Sequence, residues 1–231
     1  MDIVKTKLFV TIADKKKTAR IIKLFNKNNI TNSCSISAKG TASNSLLTYF
    51  GLDDIKKNVV LTIVPEILET KIMYNLHNKL ELYKPGNGIC FSLRINSASR
   101  YLSSMYEKVS KPREDFIMKQ DKEYELIVLI VSEGYSDLAM DAAKRVGANG
   151  GTLINGIGLG SSEATKFLGI TIEPEKDVVL VITEKEEKKK VMEEMTKEVG
   201  LSHEGRGICF SIPVDNVVGL TEKINFDKKS S

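Results

Sequence analysis

Apolar positions along the chain fall into two periodicities. Leu8–Ala13 and Tyr124–Ser132 are runs of β-branched and aliphatic residues, which predicts buried strands. Ile21, Leu24 and Phe25, and later Leu138, Ala142 and Val146, recur at helical spacing, so a helix follows each strand. Ser136 is the expected N-cap of the later helix and Gly147 its stop. Short strands are expected at Ser33–Ser37 and Thr152–Asn155, and longer ones at Val59–Val64 and Val178–Thr183. A second helix carries Ile72, Met73, Leu76 and Leu80 in one half and Val191, Met192, Met195 and Val199 in the other. Gly200 stands where a C-terminal cap belongs, and the last strand of each half follows a Gly-x-Gly turn.

The pattern occurs twice because the sequence does. Gly86-Asn87-Gly88-Ile89-Cys90-Phe91-Ser92 returns 119 positions later as Gly205-Arg206-Gly207-Ile208-Cys209-Phe210-Ser211. Asn58–Ile63 returns as Asp177–Ile182 at the same offset, and Tyr49-Phe50-Gly51-Leu52 matches Phe167-Leu168-Gly169-Ile170 one position short of it. Two homologous copies follow, residues 1–109 and 123–231, the first more degenerate, with a linker at 110–122. Each reads strand–helix–strand–strand–helix–strand, which predicts an α+β chain of tandem ferredoxin-like (βαββαβ) domains. Helices on one face of such a sheet leave the other face to be covered by a domain or subunit. Tyr101, Leu102, Met105 and Tyr106 suggest a short helix packed on its own domain, and Ser110–Lys122 a solvated linker.

Composition narrows the class. At 42% hydrophobic and 28% charged residues, with 5 Pro and 16 Gly in 231 residues, the chain is ordinary for a folded, soluble protein. Three cysteines make no disulfide framework, no apolar run approaches a membrane span, and the first residues lack a signal peptide's layout. A cytoplasmic setting without membrane insertion is therefore expected. The net charge of +4 hides an asymmetry: residues 1–120 carry 20 basic and 10 acidic side chains, leaving 14 and 20 for the rest. Such a split can mark a basic partner site or two surfaces that attract each other.

Enzymatic chemistry finds no footing. His77 and His203 have no ligand or base partner at useful spacing, and Cys90 and Cys209 repeat as small buried hydrophobes, with Cys34 read as packing too. Glu193 and Glu194 belong on a solvated helix face. The Gly-x-Gly turns are candidates on two readings. Glycines let backbone N–H groups converge on an anion, with Gly86, Gly88, Gly205 and Gly207 holding it and Arg206 adding a charged donor; a tight turn explains them equally. Gly156-Ile157-Gly158-Leu159-Gly160-Ser161-Ser162 suggests a loop leading into a short helix closed by Gly169, with Ser161 or Ser162 at an anion-attracting N-terminus.

These segments resemble the P-II nitrogen regulatory family. Ala148-Asn149-Gly150-Gly151-Thr152-Leu153, after the first helix, is similar to its Gly-x-x-Gly-x-Thr segment. Gly205–Val218 is similar to its Gly-Asp-Gly-Lys-Ile-Phe-Val-x-Pro-Val-x-x-Val-Val stretch, and the likeness covers most of 124–220, extending to 6–95 through the repeat. The resemblance implies trimers of ferredoxin-like units, adenine-nucleotide binding in clefts between units, and signalling to a partner protein through the loop between the second and third strands. On that basis Gly205, Gly207, Gly86 and Gly88 would hold phosphates, and Thr152 (Ser33 in the first copy) would lie near the base. Gly158, Gly160, Ser161 and Ser162 would start the signalling loop. The family's lysine after the second glycine is Ile89 or Ile208 here, and no arginine follows Val217-Val218, so the cofactor stays open, with ATP or ADP compatible. The implied function is a regulator that senses a small anion and controls a partner in nitrogen metabolism, as a homotrimer of tandem chains. The competing readings are a ferredoxin-like scaffold and a nucleic-acid-binding module, the latter disfavoured by the acidic second half.

Overall fold

A computed structural model describes residues 4–41, 55–107, 109–110, 112, 116–159, 165–167, 170–172, 174–220 and 224–228. The chain divides into two compact units, each of which takes a segment from the opposite half of the sequence. The first comprises Met1–Ser37, Lys57–Tyr124 and Pro213–Ser231, and the second Ala38–Lys56 and Glu125–Ile212.

The first unit begins with β1 (Thr6–Ala13) and α1 (Lys15–Lys27), followed by β2 (Ser33–Gly40, as far as Ser37) and β3 (Ile55–Pro65, from Lys57 onward). α2 (Glu69–Asn78) then leads to β4 (Ile89–Arg94). Asp14 caps α1 by accepting the Lys17 N–H at 2.8 Å, which satisfies one of the helix's free donors. β1 pairs antiparallel with both β3 and β4, so it lies at the centre, with Phe9 opposite Thr62 on one side and Ser92 on the other. Its two faces differ in what they meet. Phe9 and Ala13 join Ile21 and Phe25 of α1 and Ile72, Met73 and Leu76 of α2 in the core. Val10, Val59 and Phe91, on the opposite face, are also buried.

Past β4 come α3 (Arg100–Met105) and β5 (Phe116–Lys119). The expected packing of α3 reduces to the residue after it: Tyr106 is buried and donates its hydroxyl to Ile63 O at 2.8 Å, while Tyr101 and Met105 are exposed. The solvated linker expected over Ser110–Lys122 is corrected by β5, whose Phe-Ile-Met run pairs with β13 (Asn225–Lys228) and buries Phe116. Burying Phe116, with Met118 half-buried, outweighs the polar composition around them.

The second unit follows the same order with β6 (Tyr124–Ser132, from Glu125 onward), α4 (Ser136–Arg145), β7 (Thr152–Ile157), β10 (Glu175–Glu184), α5 (Lys188–Val199) and β11 (Ile208–Val214, as far as Ile212). Its core joins Ile127, Leu129 and Val131 to Ala139, Met140 and Ala143 and to Val191, Met195 and Val199. Ser136 is the first helical residue rather than the N-cap; it is buried and makes no capping bond. Leu138, expected on the core face, is exposed, because alanines and a methionine one and two positions later face inward instead. Between β7 and β10 the short helix expected before Gly169 is replaced by a hairpin of β8 (Thr165–Phe167) and β9 (Ile170–Ile172). Those two segments are rich in β-branched residues, which favour strand.

Candidate functional site

In the first unit, the Gly86–Gly88 turn is an entry into β4. Glu81 adopts a left-handed conformation, its carbonyl accepting the Lys84 N–H (3.0 Å) and the Asn87 side-chain amide (2.9 Å). Gly86 and Gly88 have φ of +80° and +118°. A methyl at Gly86 would meet nothing, whereas at Gly88 it would stand 2.5 Å from Ile12 O and 3.0 Å from Ala13 Cβ. Gly88 is thus needed for its conformation and for the close approach of β1.

The second unit's turn uses its donors internally. Arg206 is the residue with positive φ (+45°), and its N–H donates to His203 O at 3.0 Å. The Gly207 N–H donates to Val199 O at 2.6 Å, and Gly205 O accepts the Ser132 N–H at 2.9 Å. Two amides that could have met an anion are therefore used within the turn and at the end of α5, while the Gly205 carbonyl ties the turn to β6. The Arg206 side chain is exposed.

The other expected residues sit elsewhere in that unit. Thr152 is buried on β7 opposite Leu180 of β10 and Gly40 of β2. Gly158 donates its N–H to Pro174 O (2.8 Å) and packs on Pro174 and Lys176, while Gly205 packs on Val131, Val199 and Tyr135. Gly160, Ser161 and Ser162 lie outside the described residues, as does Tyr49. Ser33 hydrogen-bonds the Thr62 hydroxyl at 2.8 Å.

Two constellations in the first unit carry no short-range sequence signal. In one, the buried Lys7 ammonium pairs with Asp215 and lies 3.8 Å from Glu66 and 3.9 Å from Glu69. Glu69 Oε1 accepts from the Ser92 hydroxyl (2.5 Å) and the Asn216 amide (2.8 Å). The Asn216 N–H donates to the Ser92 hydroxyl (3.2 Å), and Asn216–Val218 forms β12 on the edge of β4. Arg94 adds a second cation 3.4 Å from Asp215, and the cluster, held by these ion pairs and hydrogen bonds, acts as a clip for the chain's last segment. In the other, Tyr74 stacks on Phe116 (3.9 Å, 9°), and His77 lies between Tyr83 (5.3 Å) and Phe226 (5.5 Å). Among the described residues His77 Nδ1 is buried without a hydrogen-bond partner, and burial holds the imidazole below its usual pKa.

Cys90 and Cys209 are poor nucleophiles. Burial pushes the Cys90 thiol up to about 12 and Cys209 to about 11. Cys34, expected to pack, is exposed on β2. Among the described residues no group of three or more His, Cys, Asp or Glu side chains is placed to hold a metal ion. No helix there is long and apolar enough to cross a membrane.

No protein-family model matches the chain, and no curated protein does. Among solved structures it is similar to an unknown protein from Galdieria sulphuraria, at 13% identity over 91% of this chain and 98% of that one, with a TM-score of 0.28. It is also similar to a microcompartments protein from Desulfitobacterium hafniense DCB, at 11% identity over 92% and 96%, with a TM-score of 0.27. Likeness at that level transfers no property to this chain.

Proposed function

We propose that the chain is a cytoplasmic regulatory protein of P-II-like design. In this reading two ferredoxin-like βαββαβ units in tandem sense a small anionic ligand, adenine nucleotides being the first candidates. They report its presence to a protein partner, with nitrogen metabolism the setting that the resemblance suggests. The observation that supports the reading is the repeated element order together with residues 158–174, the connection between the second and third strands of the second copy, which carries its own hairpin. A connection built this way offers a partner a surface that the sheet and helices do not.

A scaffold without a ligand is the second reading, and the internal use of the Arg206 and Gly207 amides favours it. A thermal-shift screen of the purified protein against ATP, ADP, AMP, cyclic di-AMP and 2-oxoglutarate, with and without Mg²⁺, separates the two. A ligand at 100 times its dissociation constant stabilises by about 2.7 kcal/mol, a readable shift in melting temperature. A shift abolished by Arg206→Ala places the ligand at the second glycine turn. The scaffold reading expects no shift with any compound.

A further inference from the structure

α1 is unusual in charge: its sequence KKKTARIIKLFNK contains six cations and no acidic residue. Thr18, Ile21 and Phe25 face the core, which leaves Arg20, Lys23 and Lys27 together on the outer side at helical spacing. There they border a cavity of about 400 Å³, whose far wall at the end of α2 adds a fourth cation, Lys79. Cavities of roughly 300–1,000 Å³ are the size class that takes small molecules.

Among the described residues the lining contains no carboxylate. Glu81 is the acidic group within electrostatic reach of Arg20, and it is committed to Lys84 at 2.5 Å. Among the described residues Arg20, Lys23, Lys27 and Lys79 make no ion pair, so four like charges share one recess without a counter-charge. Lys27 and Lys79 stand at helix C-termini, where a cation offsets the partial negative charge of the last carbonyls. Arg20 and Lys23 lie in the helix interior, and that explanation does not reach them.

Asn75 is a second, independent sign. It is only 6% exposed as a residue and lines the same cavity, adding a side-chain amide to the wall. Its amide atoms are not among the buried side-chain atoms that lack a partner, so they open onto the recess, where a ligand's polar group can meet them. Leu24 and Leu80 supply apolar wall beside it, and the Lys17 ammonium fixes that wall by donating to Leu80 O at 3.1 Å.

We infer that this cavity between α1 and α2 binds a phosphorylated small molecule with three or more negative charges and an apolar or heterocyclic body. Arg20 offers the paired donors that suit a phosphate, the lysines add point charges, and Asn75 reads a polar group on the body lying against Leu24 and Leu80. A single-stranded nucleic acid fits less well, since among the described residues no aromatic side chain lines the recess to stack a base. The inference is independent of the P-II-like reading and concerns a different place on the molecule from the glycine turns.

The test is calorimetric titration of the full chain with inorganic triphosphate, ATP and a mixed-sequence single-stranded oligonucleotide, at low salt. Triphosphate should bind once per chain and ATP more tightly. Arg20→Gln and Lys23→Gln, exposed positions that leave the core untouched, should each weaken binding by roughly tenfold. Arg206→Ala should leave it unchanged. Binding that survives both α1 substitutions, or that Arg206→Ala alone abolishes, overturns the inference; the latter outcome supports the glycine-turn reading instead. Absence of binding by triphosphate and ATP overturns it as well. So does an oligonucleotide that binds more tightly than ATP and depends on Arg20 and Lys23, which would assign the surface to nucleic acid.

Discussion

Gly88 and Gly86 show how two residues of one motif can do different work. Both have left-handed backbones, but only at Gly88 would a side chain run into β1. Gly86→Ala should cost about 1 kcal/mol and Gly88→Ala about 2–3 kcal/mol in urea denaturation. Equal losses would mean that the approach of β1 is not the constraint. The motif was legible as a turn from its glycines alone, whereas the partners of its amides depend on Val199 and His203, which reach the turn only in the folded unit. Leu138 illustrates the same limit, since hydrophobicity pointed it inward and the smaller Ala139 and Ala143 took the place. His77 yields a prediction in pH. Its folded-state pKa lies below the unfolded value, so the unfolded chain takes up the proton first as pH falls through about 6.5. Wild type should therefore lose stability relative to His77→Phe between pH 7.5 and the lower folded pKa, then run parallel to it. Melting curves that stay parallel over the whole range would contradict this.

Among the elements, the helices and central strands were readable because burial on one face imposes period on the sequence, as with Ile72, Met73, Leu76 and Leu80. β5, β8 and β9 were not, since strands of three or four residues are too short to display a period. β5 tests this most sharply. Phe116→Ala removes a buried ring stacked on Tyr74 and should destabilise the chain by about 3 kcal/mol. A loss below about 0.5 kcal/mol in chemical denaturation would restore the reading of this stretch as a solvated linker.

At the scale of the whole molecule, the repeat revealed two copies but not the segments that the units draw from each other's halves. Those depend on pairings outside the repeat: Asn216–Val218 with β4, and Lys39–Gly40 with β7. One consequence concerns self-assembly. β12 covers the edge of β4, while β11 ends its sheet among the described residues, with Ile208 and Phe210 exposed where Ile89 and Phe91 are half-buried and buried. Assembly into the trimer that the P-II resemblance implies should use that edge. Light scattering at micromolar concentration should give the mass of three chains for wild type and a smaller mass for Phe210→Asp; a monomeric wild type would contradict it.

The central claim is that the chain senses a small anion and reports it through the connection between β7 and β10. Hydrogen–deuterium exchange read by mass spectrometry, with and without saturating ATP, tests it most directly. The account predicts altered exchange across residues 158–174 on adding ATP. Unchanged exchange there, with ATP shown by calorimetry to be bound, would contradict it.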